Sequence, residues 1–116
     1  MAGEPSHEHP VDPKRVAAAR EQLIEPDEAG ELAELFRVLG DPVRARVISA
    51  LSGGGELCVG DVALAIDASE NTVSYALGVL RRARLVERQR RGREIYYRIA
   101  DPRLSELLTL ARSTPS

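Results

Sequence analysis

The 116-residue sequence predicts a mainly α-helical fold with a small β-hairpin, arranged as a winged helix-turn-helix. First, residues 61–82 contain two amphipathic helical patterns separated by a short polar turn. Second, strand-like runs at 85–90 and 94–99 flank Arg91 and Gly92, as in a hairpin. Third, arginine is concentrated on this hairpin. We expect about five to six helices and a two-stranded wing, in a dimer, since small helical domains gain stability by associating.

Aspartate–proline pairs mark three helix starts, because aspartate caps a first turn and proline fits its first position. They predict helices from Pro13 to about Leu23, from Pro42 to about Leu51 and from Pro102 to about Ala111. Further helices are expected at 31–39 and 59–66, and a short strand at 56–58 could pair with the wing. The inward positions expected in the 31–39 helix are Leu32, Leu35, Phe36 and Leu39.

The ends of the chain differ from this ordered middle. Residues 1–12 are rich in proline and poor in apolar side chains, which predicts a flexible N-terminal arm. Residues 13–113 are expected to form one domain. The glycine run at 53–55 lacks the lysine and the preceding strand of a nucleotide-binding loop, so it is interpreted as a flexible connector.

Positive charge is segregated along the chain. Residues 81–103 contain nine arginines and three acidic residues, a local charge of +6, whereas the whole chain has a net charge of −2. Residues 1–80 carry six basic and fourteen acidic side chains. Such a separation is the electrostatic footprint of a phosphate-binding surface.

The helix after Ser69 has one apolar and one polar face. Val73, Leu77 and Leu80 fall on a single stripe, and the Ser69 hydroxyl can cap the first turn. An ordinary amphipathic helix would show the same pattern, but the basic hairpin favours a helix that lies in a DNA major groove. The candidate DNA-binding residues are Ser69, Asn71, Thr72, Ser74, Tyr75 and Arg81 on the helix and Arg88, Arg90, Arg91 and Arg93 on the wing.

Four segments together resemble the ArsR/SmtB family of winged-helix repressors: LAELFRVLGDPVRARVISAL, ELCV, TVSYALGVLRRARLV and GREIYYRI. The resemblance implies a sequence-specific repressor that binds double-stranded DNA, at an inverted-repeat operator, as a homodimer. It places the dimer interface on the helices at 14–23 and 103–111. Two departures are Tyr75 and Ala76, where the family usually has histidines, and Arg84, where glycine is more frequent.

The same resemblance implies a response to a metal, because most members release DNA when one binds. One family site would fall at Asp101 and Arg103, where arginine cannot serve as a ligand. A cysteine-pair site would fall on the segment of Cys58, where one thiol is left. The remaining donors are His7, His9 and Cys58, which predict a nickel, cobalt or zinc site. Alternatively, the histidines belong to a solvated segment, Cys58 is a small buried hydrophobe, and a co-regulator protein or another signal controls the repressor.

Other functional classes find little support in the sequence. Both histidines lie in the predicted arm, so no serine or cysteine nucleophile can be paired with one, and we expect no enzymatic activity. One cysteine excludes an internal disulfide, and no apolar run approaches the length of a membrane span. A cytoplasmic protein is expected. A winged-helix protein-interaction module is the alternative function, and the arginine-rich wing argues against it.

Overall fold

A computed structural model describes residues 11–113 of the chain. Within that range it contains six helices and three strands. The helices are α1 (Pro13–Gln22), α2 (Pro26–Leu39), α3 (Pro42–Gly54), α4 (Val59–Ile66), α5 (Glu70–Arg82) and α6 (Arg103–Arg112). The strands are β1 (Leu57–Cys58), β2 (Val86–Arg91) and β3 (Glu94–Ile99). The described residues divide into two compact units, 11–32 and 33–113.

The first unit contains α1 and the beginning of α2. The Asp12 carboxylate accepts a hydrogen bond of 3.2 Å from the backbone N–H of Arg15, as its position before Pro13 predicts. The start of α2 was predicted at residue 31, but the helix begins five residues earlier, at Pro26. Pro26 fits a first helical position. The acidic residues that follow it, Asp27 and Glu28, stabilise the helix start because their negative charge lies at the positive end of the helix dipole. The predicted arm, residues 1–12, lies almost entirely outside the described residues.

Helix α2 buries only part of the face that was predicted to be inward. Leu35 and Val38 are buried, whereas Phe36 is 55% exposed and Leu32 is 37% exposed. The buried pair is spaced three residues apart and so shares one side of the helix. The prediction was therefore correct for Leu35 and for Leu39, which is half-buried against the core, but wrong for Leu32 and for Phe36, whose aromatic ring is left uncovered.

Helices α3, α4 and α5 form the core of the second unit. The Asp41 carboxylate accepts the backbone N–H of Arg44 at 3.0 Å and so caps α3. This helix extends through Gly54, so the glycine run predicted as a connector is partly helical. Gly55 ends the helix, with φ of +83° and its N–H bonded to the Leu51 carbonyl at 2.8 Å. The side chains buried in the core include Val47, Ile48, Leu51, Val62, Ile66, Val73, Leu77 and Leu80.

The helix-turn-helix consists of α4, a three-residue turn and α5. Asp67 opens the turn in a left-handed conformation, with φ of 57°, and the Ala68 N–H bonds back to the Ala63 carbonyl at 3.0 Å. Arg46 of α3 donates to the Ile66 carbonyl at 2.8 Å and thereby satisfies the end of α4. These contacts fix the angle at which α5 leaves the turn.

A second residue in the left-handed conformation, Arg84, follows the end of α5. Arg84 has φ of 65°, and the next N–H, of Leu85, bonds to the Leu80 carbonyl at 2.9 Å. This pattern closes a helix most easily with glycine at the left-handed position. Arginine stands there in this chain.

The wing is the hairpin of β2 and β3, which pair antiparallel from Val86↔Ile99 to Arg91↔Glu94. Gly92 makes the turn with φ of 64°. β1 pairs with the other edge of β3, so the sheet has three strands in the order β1-β3-β2. The predicted hairpin and its short additional strand are both confirmed. Val86 and Tyr97 are buried and attach the sheet to the helical core.

Helix α6 follows the wing and covers the core with Leu104. Its first helical residue is Arg103, one position later than the Asp–Pro signal predicts, and Asp101 accepts the Arg103 backbone N–H at 3.0 Å. Leu107 and Leu108 are half-buried, and Leu110 is 71% exposed. Between Val11 and Ser113, no helix is long and apolar enough to span a bilayer.

Candidate nucleic-acid interface

The first turn of α5 is held by a pair of hydroxyl groups. The Ser69 oxygen accepts the Thr72 backbone N–H at 3.1 Å, and the Ser69 hydroxyl donates to the Thr72 hydroxyl at 2.9 Å. Both residues were predicted to contact DNA. In the structure their hydroxyls already serve the helix cap, because the first-turn N–H groups have no partner within the helix.

Three neighbouring side chains remain on the exposed surface of α5. Asn71, Ser74 and Tyr75 are spaced three and four residues apart, so they lie on one side of the first two turns. All three are exposed, and the Tyr75 side chain reaches 71% exposure. We call this set the α5 polar cluster. Its amide and hydroxyl groups can both donate and accept hydrogen bonds, as the edges of DNA bases require.

A groove of ≈ 410 Å³ runs beside this cluster and joins α5 to the start of α3. Asp41, Val43 and Arg44 line it from α3, opposite Asn71 and Tyr75. The Arg44 guanidinium donates to the Val38 carbonyl at 2.6 Å, which holds this side chain in place. Arg44 was not among the predicted site residues. Its separation from α5 by more than 25 residues left no local signal that could have identified it.

The pleat of the wing sorts its charged residues onto two faces. Residues that stand opposite each other in an antiparallel pair project to the same side. Arg88 pairs with Tyr97 and Arg90 with Ile95, so both arginines lie on the face that the sheet turns toward the helices. Glu87, Gln89 and Arg91 pair with Arg98, Tyr96 and Glu94 and occupy the outer face.

The outer face is internally neutralised. Arg91 lies 2.7 Å from the Glu56 carboxylate and 5.2 Å from the centroid of the Tyr96 ring. The guanidinium of Arg98 contacts the Glu87 carboxylate at 2.6 Å. The hydrogen bond to Glu87 and the negative charge of that carboxylate raise the pKa of Arg98 above its usual value. Arg91 was predicted to bind DNA, and the structure places it in this network.

Three other wing arginines are in a different situation. Arg88, Arg90 and Arg93 are exposed, and none has an acidic side chain within ion-pair distance among residues 11–113. We call them the wing cations. Because Arg93 follows Gly92 in the hairpin turn, this set extends from the inner face of the wing to its tip.

Arg81 is separated from both groups. It lies in the last turn of α5 and is half-buried. Arg81 follows Asn71 by ten positions, which is roughly 15 Å along the helix axis at 1.5 Å per residue. The predicted DNA-binding set is therefore divided into five parts: a capped first turn, the α5 polar cluster, the wing cations, Arg91 in the ion-paired outer face of the wing, and Arg81 at the opposite end of the helix.

The predicted metal donors are not brought together by the described residues. Cys58 is a half-buried free thiol immediately before α4, while His7 and His9 lie outside the described range. Within residues 11–113, no group of three or more histidine, cysteine, aspartate or glutamate side chains could hold a metal. Asp101 is bound by Arg103, and hydrogen bonds from Arg103 keep the pKa of this carboxyl below its usual value.

Comparisons with known proteins agree with this geometry. A helix-turn-helix domain model matches residues 39–89. The transcriptional repressor SmtB homolog of Synechocystis sp. is 42% identical over 94 residues, covering 81% of this chain and 70% of that protein. The cadmium resistance transcriptional regulatory protein CadC homolog of Staphylococcus aureus is 33% identical over 81 residues, covering 70% and 67%.

Solved structures give the same result. The antimony-specific transcriptional repressor AntR superposes with a TM-score of 0.72 at 40% identity, covering 78% of this chain and 81% of that one. The repressor BigR from Xylella fastidiosa gives a TM-score of 0.70 at 30% identity, covering 78% and 93%. The residues, the fold and these relatives lead to one conclusion: the chain belongs to the ArsR/SmtB family of winged helix-turn-helix transcriptional repressors, which bind DNA and are not enzymes.

Proposed function

We propose that this repressor binds an inverted-repeat operator as a homodimer, with α5 in the major groove and the wing cations on phosphates. In a two-fold dimer, the two α5 helices enter successive major grooves roughly 34 Å apart, so the operator is pseudo-palindromic. The α5 polar cluster contacts base edges and supplies specificity. The wing cations contact the backbone and supply affinity that does not depend on sequence.

The main support for this proposal is that exposed uncharged polar side chains lie on α5, whereas exposed cations with no described acidic partner lie on the wing. Asn71, Ser74 and Tyr75 offer hydrogen-bonding groups without charge, whereas the wing cations offer charge without a described acidic partner. Recognition of DNA bases needs uncharged hydrogen-bonding groups, and the release of counterions from phosphates needs positively charged groups. A protein-interaction surface has no need to separate them in this way.

The proposed dimer rests on uncovered apolar surface around α6. A groove of ≈ 230 Å³ is lined by Phe36, Leu39, Leu107, Leu108 and other apolar residues of α2, α3 and α6. Phe36 of this groove is 55% exposed, and Leu110, which belongs to the same helix α6 as Leu107 and Leu108, is 71% exposed. We assign a second copy of the chain as the occupant, because a homodimer presents the same apolar surface from both sides.

The operator can be selected from random duplexes and used to test α5. Asn71→Ala should reduce the ratio of operator to random-DNA affinity by roughly 5- to 150-fold, the value of one good base contact. Its affinity for random DNA should stay unchanged, because no charge is lost. Gln89→Ala, an exposed amide on the outer face of the wing, serves as the control. Unchanged discrimination in the Asn71 variant would contradict the proposed role of α5.

The regulatory signal forms the second part of the proposal. The predicted nickel, cobalt or zinc site receives one donor, Cys58, from the described residues, so these residues do not form it on their own. His7 and His9 must supply the nitrogen ligands for such a metal. Two similar proteins, a cadmium resistance regulator and an antimony-specific repressor, support a metal or metalloid signal for this chain as well.

A metal titration of the operator complex tests this part separately. If His7, His9 and Cys58 form the site, one of the three metals should lower operator affinity roughly 5- to 150-fold, the usual range of allosteric coupling. Deletion of residues 1–10 and Cys58→Ser should each abolish the response and leave apo affinity nearly unchanged. If the truncated protein responds like the full chain, the ligands lie elsewhere. If neither responds, a co-regulator protein or another signal controls the repressor.

A further inference from the structure

Glu56 connects the wing to the corner between α3 and β1. One of its carboxylate oxygens lies 2.7 Å from the guanidinium of Arg91, and the other lies 3.5 Å from that of Arg98. Arg91 belongs to β2 and Arg98 to β3, so this single carboxylate contacts both strands of the hairpin. The Glu56 side chain is 30% exposed, the lowest value in the network.

The register shows how far this contact reaches. Leu57 stands opposite Tyr97, so Glu56 precedes the paired segment at the base of the wing, near Arg98. Arg91 stands opposite Glu94, at the other end of the hairpin beside the turn. Its side chain therefore folds back over the Tyr96 ring, 5.2 Å from the centroid, to reach the carboxylate. The ion pair ties the tip of the wing to its base.

We propose that Glu56 is a positioning residue for DNA binding, because its bridge to Arg91 and Arg98 holds the wing so that Arg90 and Arg93 are presented together. Arg90 and Arg93 flank Arg91 and the turn, so their placement depends on the conformation that Arg91 adopts. A tip fixed before binding loses less conformational entropy when it meets phosphates. This inference rests on the proposed contact between the wing cations and the DNA backbone.

The sign of one charge change separates this role from simple electrostatics. A carboxylate near a phosphate-binding surface repels DNA, so removal of its charge alone should raise affinity. Removal of a positioning carboxylate should lower affinity even though the net charge becomes more positive. Glu87 provides the matched control, because it lies on the same face and pairs with Arg98 but has no described contact with Arg91.

The experiment compares Glu56→Gln, Glu87→Gln and Arg93→Ala in the full-length protein, by binding to a random duplex over a range of salt concentrations. We expect Glu56→Gln to weaken binding about fivefold, the upper range for an exposed ion pair, while Glu87→Gln leaves it equal or stronger. Arg91→Ala in the Glu56→Gln background should cause less additional loss than Arg91→Ala alone, since the bridge is already broken. Urea unfolding should be nearly the same for the two glutamine variants, which shows that the effect is not a loss of folding.

Two results would overturn the inference in distinguishable ways. If Glu56→Gln strengthens binding as much as Glu87→Gln while Arg93→Ala still reduces the salt slope, Glu56 only repels DNA and the proposed wing contacts stand. If Arg93→Ala leaves the salt slope unchanged, the wing does not contact phosphates, and the positioning role falls with it.

Discussion

Arg84 adopts a left-handed conformation after α5, with φ of 65°, although it is not glycine. This conformation costs an L-residue roughly 1–2 kcal/mol. Glycine avoids this steric cost, but it also makes the unfolded chain more flexible, which offsets part of the gain in stability. We therefore predict that Arg84→Gly stabilises the protein by about 0.5–1 kcal/mol. Urea unfolding measures the difference. Arg82→Gly, which removes the same charge from within α5, should destabilise instead, and equal effects in both variants would contradict the explanation.

Asp101 gives the start of α6 a dependence on pH. Hydrogen bonds from Arg103 lower the pKa of this carboxyl below its usual value of 3.8 in the folded protein. The stabilisation is therefore fully present above 3.8 and is lost as the pH falls through the lower folded-state value. Asp101→Asn should reduce unfolding free energy at pH 7 by at most about 1 kcal/mol, since Arg103 is largely solvent-exposed. Urea titrations from pH 7 to about pH 3 should show the two proteins converging; a constant difference would contradict this role.

We predict that the loss of one arginine from the inner face of the wing weakens the salt dependence of DNA binding. Arg90→Ala should flatten the dependence of log affinity on log salt by about one unit, for operator and random DNA alike, because one phosphate contact disappears. Arg37→Ala removes the same charge from α2, where Arg37 is paired with Glu34, and should leave the slope unchanged. An unaltered slope in the Arg90 variant would show that the inner face of the wing does not meet phosphates.

Local sequence signals were sufficient to predict most elements of this fold. Capping aspartates and Ser69 located the starts of α1, α3 and α5, and the spacing of Val73, Leu77 and Leu80 identified the buried face of α5. Helix α2 was predicted too short because its exposed first turns carry no apolar periodicity. The glycine run was misassigned at Gly53 and Gly54. Each glycine costs a helix about 1 kcal/mol relative to alanine, and this cost does not outweigh the packing of helix α3, which contains both residues.

The site was harder to predict than the fold. The composition of α5 and the wing identified the surface, but not which side chains are occupied by internal contacts. Arg46 contacts the Ile66 carbonyl, which is 20 residues away in the sequence. Glu56 contacts Arg91, although α4, α5 and most of β2 lie between them in the sequence. Such contacts depend on tertiary placement and leave no local pattern. The separation of Arg90 from Arg91 is different, because the period of two in a strand already assigns them to opposite faces.

At the scale of the whole molecule, we predict that the exposed end of α6 controls assembly. Leu110→Glu should place a charge in the proposed dimer interface and convert the dimer to a monomer at micromolar concentration, as measured by sedimentation equilibrium. Leu64→Glu is the control, because Leu64 is an 83% exposed leucine on α4. A wild-type monomer, or dissociation caused equally by both substitutions, would contradict the proposed interface.

Among the strands of residues 11–113, the order β1-β3-β2 leaves β2 with one unpaired edge, and this edge has a consequence for solubility. An open strand can recruit further strands from other molecules, and charged side chains are a common defence against such polymerisation. In β2, every residue after Val86 is exposed, and four of these five are charged. β1, with two residues, is too short to act as a template on the opposite edge. The arginines of the wing thus also protect against fibre-like aggregation, so a DNA-binding knockout made with valine at 88 and 90 would invite aggregation, whereas glutamine would not.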